Sequence, residues 1–534
     1  MSSIINKYFC PLALFALTLT IASIFSTLGV DPHHQGIMFK PAFDVAHGQM
    51  LFRDTFTQYG ALTTLLHAWA LRIFGDYLLV IQIETALFYG LISLLLYYLW
   101  LQILPKWLAT TSVLIWLFIA PFYRPMITFL PWSSVPALLF QLFSLLLVLH
   151  ALRKDSWLMM LLAGGVAVLT FWCRQPVGVL HCAALLFFIG TAPLFDGNRK
   201  GKAKTDCVFF ITGILVASLP FIIWLLLNQA LNDMYLQSLK GAFFFGTTTY
   251  QEESQTLGMN ILMSLAAYDP KADHFNPLWS LMPFICLILL AIIAFKRWIR
   301  PERIGSHLPV YGLLLVSIAS WMQYFPVPCL KHCFWAATPM IGILSYSAWH
   351  SSRFFSVGNK SMQILITCVA LTYIFQGEIK TNFFNGRVKA SILKTKIEEP
   401  RVLRGMLTSP RMAAKYKTIS TALNRAVASE SPSYLVNFSA DALYLTFIGP
   451  QMNFHPMYID WGRYNNFIYP DYKKNRNDFI YKKRPLILRK EEEIISGWNY
   501  VEIFDVTEIT LKRDYYEKAR RLALYRYVGY DEAH

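Results

Sequence analysis

Apolar runs of roughly 17 to 25 residues recur from Tyr8 to Phe375, and each is long enough to cross about 30 Å of hydrocarbon as an α-helix. No other feature constrains the chain as strongly. A water-soluble core has no need of such a series, whereas in a bilayer each spanning segment must satisfy its own backbone, as helices do. Composition points the same way. Of 534 residues, 55% are hydrophobic and 15% charged, against roughly 25% charged in soluble domains. Such a chain lacks the polar residues to cover a water-facing surface.

The formal charge of +16 would suit a nucleic-acid partner only if the basic residues were clustered on one face. They lie instead in short loops between apolar runs and in the C-terminal tail, so nucleic acid is not expected as a partner. Spans are expected near 8–28, 78–101, 107–121, 133–152, 157–173, 177–194, 207–228, 277–295, 308–324, 333–349 and 361–376. The run after Lys7 is longer than a signal-peptide core and reads as an uncleaved first span. With the N-terminus cytoplasmic, the inner loops carry Lys106, then Arg153 and Lys154, then Arg199, Lys200, Lys202 and Lys204, then Lys296, Arg297, Arg300 and Arg303, then Arg353 and Lys360. The outer loops mix signs, with Asp31, Asp44, Asp54 and Asp76 against Lys40, Arg53 and Arg72. This is the bias of cytoplasmic loops toward Lys and Arg.

Eleven spans make residues 1–376 the membrane domain, with outer loops 29–77 and 229–276, and leave 377–534 as a small extracytoplasmic domain. The tail reads as α/β: helical periodicity runs from Met412 to Val427, and Tyr434–Phe438 and Pro485–Leu488 have the look of buried strands. Asn437, Phe438 and Ser439 form a glycosylation triplet inside one of those strands. An interfacial amphipathic helix suits the loop 229–276. The eight cysteines are scattered without paired CxxC spacing and read as small packing residues.

Chemistry concentrates in the first outer loop, which contains DPHHQGIMFKPAFDVAHGQMLFRDTFTQYGALT. Asp31 directly follows the first span, so its carboxylate is held where a lipid headgroup would lie, the depth at which a general base is needed. His33 and His34 beside it can orient a substrate, bind a metal or act electrostatically on Asp31. The plainer alternative is that Asp31-Pro32 only ends the first helix. Asp44 and Asp54 are further candidates for positioning donor or acceptor; for them the plain readings are a surface position on a short helix and a local ion pair with Arg53. Arg174, Lys331 and His332 sit in short outer connections beside aromatic residues and prolines, suited to a phosphate or to interfacial anchoring, as is Arg124. Glu84, inside the second span, is an intramembrane carboxylate and so a functional candidate by position.

A first span followed by an outer loop opening on an acidic residue, then many spans and an outer tail, resembles the GT-C superfamily of integral-membrane glycosyltransferases. The first-loop sequence quoted above and the stretch YFPVPCLKHCFWAATPM are similar to bacterial members related to the protein mannosyltransferase and aminoarabinose transferase branch. The resemblance implies an α-helical polytopic GT-C-like fold in a bacterial inner membrane, membrane lipid as surroundings, and a polyprenyl-phosphate sugar donor. The acceptor would be a hydroxyl of an envelope glycan or lipid, transfer would invert the anomeric centre, and Asp31 would be the base. The pattern departs at one point: Asp31 is followed by Pro32, His33 and His34 rather than standing in an acidic pair. No cofactor is certain on these grounds. A divalent metal, if one binds, would use Asp31 with His33 or His34. A transporter or flippase of a lipid-linked substrate is the alternative reading, against which stands the lack of an internal repeat.

Overall fold

The computed structural model describes residues 2–527 except 121–128, 196–198, 200, 249–256, 270–273, 276, 300–306, 326–329, 357, 385–392, 431–434, 438–440, 451–462, 491–497 and 507–519. Arg124 and most of the glycosylation triplet lie outside the described residues.

Helix α1 (Ser2–Ser26) is followed by two shorter helices, α2 (His34–Ala46) and α3 (Ala61–Phe74). Then come α4 (Leu78–Trp100), α5 (Lys106–Phe118), α6 (Ser134–Lys154), α7 (Trp157–Cys173), α8 (Gln175–Thr191) and α9 (Ala203–Leu227). Short pieces follow: α10 (Leu231–Met234), a π-helical turn (Tyr235–Lys240), α11 (Gly241–Thr248) and α12 (Leu257–Leu265). The long helices resume with α13 (Pro277–Ile299), α14 (Leu308–Ser320), α15 (Leu330–Phe355) and α16 (Lys360–Glu378). Each of the eleven expected spans is therefore a helix. Among the described residues, seven helices are long and apolar enough to cross a bilayer, and Ala61–Phe74, Lys106–Phe118, Trp157–Cys173 and Leu308–Tyr324 are shorter apolar helices. α15 is long, but Lys331, His332, His350 and Arg353 dilute its apolar character.

The chain forms two compact units. The first comprises Met1–Ser26, Thr85–Trp224 and Ala242–Ala390. In it α6 packs along α7, α7 along α8, α8 along α14, and α15 against α13, α14 and α16. Local sequence explains the helix ends. The Ser156 hydroxyl caps α7 by accepting from the Met159 amide at 3.3 Å, and the Asn359 carbonyl caps α16 through the Met362 amide at 3.1 Å. Arg174, in an extended conformation, is the single residue linking α7 to α8, and Pro176 opens the new helix. So tight a reversal requires Gly178: a Cβ there would lie 2.2 Å from the Phe171 backbone.

The second unit comprises Thr27–Glu84, Leu225–Gly241 and Ser391–His534. The first loop thus groups with the tail rather than with the helices it adjoins in sequence. The tail contains α17 (Pro410–Glu430), a 3-10 helix (Ala442–Ile448), α18 (Arg463–Ile468) and α19 (Tyr472–Lys483). Strands β1 (Leu435–Asn437), β2 (Leu486–Lys490), β3 (Trp498–Val506) and β4 (Arg520–Tyr527) form a mixed sheet in the order β1-β2-β4-β3, parallel only between β1 and β2. The helix and both strands read from the sequence are present.

Candidate functional site

The stretch leading to Asp31 is held by main-chain bonds to the tail. Leu407 donates its amide to the Thr27 carbonyl at 2.8 Å and accepts from the Gly29 amide at 2.7 Å. The buried Tyr416 hydroxyl donates to the Val30 carbonyl at 3.2 Å, and the Leu443 amide to the Pro32 carbonyl at 3.2 Å. Gly36 makes the last contact possible, because a Cβ at that position would stand 2.4 Å from the Leu443 nitrogen. Three tail elements therefore fix the backbone on either side of Asp31.

Asp31 itself is 8% exposed. Its Oδ1 accepts the amides of His33 at 3.1 Å and His34 at 3.0 Å, closing a turn that starts α2, and its Oδ2 lies 2.8 Å from His34 Nδ1. Gln35 closes the turn from the other side by accepting the Asp31 amide on its side-chain oxygen at 2.8 Å. Burial is the largest single influence on the carboxyl and pushes its pKa up. The charge of His34, its hydrogen bond, the charge of His33 and the His34 amide together outweigh burial and hold the group well below the usual carboxylate range. Asp31 is thus an anion at neutral pH and can only accept hydrogen bonds. His34 Nδ1 must therefore be the donor, which in the neutral imidazole leaves Nε2 with the lone pair. His33 stacks edge-on against His34 with ring centroids 4.8 Å apart.

The other carboxylates of the loop are tied down locally. Lys40 donates to both oxygens of Asp44 at 2.5 Å, the Thr55 hydroxyl donates to Asp44 at 2.7 Å, and Lys40 and Asp44 are buried. Asp54 takes a bidentate pair from Arg53 at 2.8 and 2.9 Å and also accepts the Met50 amide. Glu84 pairs with His67 at 2.6 Å. Beyond these, the Gln237 side chain on the π-helical turn accepts the Thr57 amide and donates to the Phe52 carbonyl and the Tyr469 hydroxyl, and Tyr469 donates to Asp233. In the sequence this clamp shows only as a Gln in a long loop.

The cationic candidates belong to the first unit, and Arg174 and Lys331 are both anchored at the start of α6, by Ser134 and by Trp132 just before it. Arg174 donates to the Ser134 hydroxyl at 2.8 Å. The Lys331 ammonium sits 5.1 Å from the centre of the Trp132 ring, within cation–π range. Trp132 stacks on Trp335 at 6.5 Å, the His332 ring lies 5.7 Å from Trp335, and the Trp335 indole donates to the Tyr89 hydroxyl at 2.7 Å. The Trp132 face thus holds the lysine ammonium.

Among the described residues, no three His, Cys, Asp or Glu side chains gather in a way that could hold a metal ion. Asp31, His33 and His34 do not form such a group: Oδ1 accepts two amides of its own turn and Oδ2 faces His34.

A sequence profile of the dolichyl-phosphate-mannose-protein mannosyltransferase family matches residues 61–226. No curated protein matches the sequence. Among solved structures, ArnT from Cupriavidus metallidurans bound to undecaprenyl phosphate is similar over 96% of this chain and 97% of its own, with a TM-score of 0.52 and 11% identity. The archaeal oligosaccharyltransferase AglB from Archaeoglobus fulgidus, in complex with an inhibitory peptide and a dolichol-phosphate, is similar over 91% of this chain and 70% of its own, with a TM-score of 0.51 and 12% identity. A complex of the Archaeoglobus fulgidus oligosaccharyltransferase with Zn and sulfate aligns over 89% and 68%, with a TM-score of 0.51 and 12% identity. At such identities the likeness is one of fold. The chain shares its fold with ArnT and with the archaeal oligosaccharyltransferase. The profile match adds similarity to the mannosyltransferase branch from α3 to α9.

Proposed function

We propose that this protein transfers a sugar from a polyprenyl-phosphate donor to a hydroxyl of an extracytoplasmic envelope glycan or lipid, with inversion. The reading is carried by the Asp31–His34 pair: a buried, ionised carboxylate hydrogen-bonded to an imidazole at 2.8 Å. The lipid phosphates bound in the ArnT and AglB structures support the choice of donor.

A carboxylate held so far below its usual range is a weak base by itself. Joined to His34 it becomes part of a competent one, because the carboxylate fixes the tautomer and stabilises the imidazolium that forms when Nε2 takes the acceptor proton. The acceptor oxygen then forms its bond to the anomeric carbon as the bond to the phosphate oxygen breaks, and the lipid phosphate leaves as an anion. Arg174, Lys331 and His332 neutralise that anion. No step requires a metal.

The test is mass spectrometry of envelope glycans and lipid-linked sugars in cells that carry the wild type, Asp31→Asn or no protein. Loss of one sugar from a glycan and build-up of its lipid-linked donor are expected in Asp31→Asn cells, with the protein still inserted at normal levels. Wild-type glycans in those cells would refute the assignment. A flippase would instead move the lipid-linked sugar across reconstituted liposomes without consuming it.

A further inference from the structure

Within the membrane unit, α6, α8 and α14 pack against one another, the 3-10 turn after α14 packs on α8 and α14, and these elements carry a set of buried polar side chains. Gln141 and Ser144 come from α6, His181 from α8, Ser320 from the end of α14 and Gln323 from the 3-10 turn after it; all are at most 1% exposed. Two bonds link the helices. Ser144 Oγ lies 2.7 Å from His181 Nε2, and Ser320 Oγ donates to Gln141 Oε1 at 3.5 Å.

The remaining polar atoms are not served by protein. Gln141 Nε2, His181 Nδ1 and both side-chain polar atoms of Gln323 are fully buried without a hydrogen-bond partner. The Ser144 hydroxyl also lies 3.0 Å from the Gln141 carbonyl, to which it donates. One hydroxyl has one proton. If the carbonyl receives it, His181 Nε2 is the donor and Nδ1 a bare acceptor; if His181 receives it, Nδ1 carries an unserved proton. Either tautomer leaves a demand at Nδ1.

Leaving such atoms unpaired in hydrocarbon costs several kcal/mol each. The unserved atoms include donors and acceptors, and the seam side chains are uncharged save for a protonatable imidazole. An anion or cation is therefore poorly matched, while a water molecule, which donates and accepts at once, fits. We propose that the α6–α8–α14 seam is a built-in hydration site, holding on the order of two ordered waters that join Gln323, His181 and Gln141. These waters would complete the polar contacts holding three membrane helices in register.

The experiment uses the full chain in lipid nanodiscs. Synchrotron radiolysis generates hydroxyl radicals from bound as well as bulk water, so His181 is expected to be modified despite its burial, and severalfold less in Gln323→Met. Thermal stability gives an independent reading of opposite sign. If the seam is dry, replacing an unserved amide with an apolar side chain of like size raises the melting temperature. If it is hydrated, Gln323→Met removes a partner of the water and lowers it. An unmodified His181 in the wild type, or a raised melting temperature in Gln323→Met, would overturn the proposal.

Discussion

Replacing Asp31 with Asn isolates the charge of the carboxylate from its shape. The Asn carbonyl can still accept the amides of His33 and His34, but as a neutral group. The 2.8 Å contact to His34 Nδ1 loses its charged partner. A hydrogen bond to a charged group contributes about 1.5–3 kcal/mol, against about 0.5–1.5 for a neutral one, so the substitution should cost about 2–4 kcal/mol. Unfolding titrations in mixed detergent micelles on wild type, Asp31→Asn, His34→Leu and the double variant give the coupling between the two side chains, expected at about 1.5 kcal/mol or more at neutral pH. The pH dependence follows from the lowered pKa. A carboxylate whose folded value is depressed stabilises the protein above its ordinary pKa, about 3.9, and that contribution is lost as pH falls through the folded value. The stability gap between wild type and Asp31→Asn should therefore hold from neutral pH down to about 4 and narrow only below it. A coupling under about 0.5 kcal/mol, or a gap that closes near pH 6, would refute the reasoning.

Lys40→Met strands Asp44 as a buried anion and should destabilise the protein by about 3–5 kcal/mol, whereas Lys40→Met with Asp44→Leu should recover much of the loss in the same titrations. Gly36→Ala drives a methyl into the Leu443 backbone and should cost about 1–3 kcal/mol; faster proteolysis of the tail is the measurement, and unchanged rates would contradict the contact. Burial raises the Tyr469 phenol pKa, Gln237 partly offsets this by hydrogen bonding, and the Asp233 charge raises it further. The folded state then keeps a proton that the unfolded chain releases above about pH 10, so melting temperature should fall over that range, and less steeply in Tyr469→Phe.

The membrane helices were legible because span length and apolarity are local properties: from α1 to α16, each long run of apolar residues became a helix. In the tail, α17, β1 and β2 were equally legible from periodicity. The chemistry of the first loop was legible only in part. Asp31 and its histidines announced themselves by position after a span, but the pairing of Lys40 with Asp44 could be read only once α2 was known to be helical across both, four residues apart. Gln35, which closes the Asp31 turn, was overlooked although an amide four residues after an acid at a helix start is a local signal. The grouping of residues 27–84 with the tail, and the meeting of His181 with Ser144 and of Gln141 with Ser320, depend on contacts between residues remote in sequence. Each of those residues, taken singly, is only a polar interruption in an apolar run.

The Tyr416 bond to the Val30 carbonyl joins positions 386 residues apart. During synthesis the loop that carries Asp31 leaves the ribosome well before the groups that seat it. A partly made chain therefore carries its acid and histidines without their scaffold. The turn around Asp31 is secured only once the tail has followed, so that prematurely terminated products would hold it unseated.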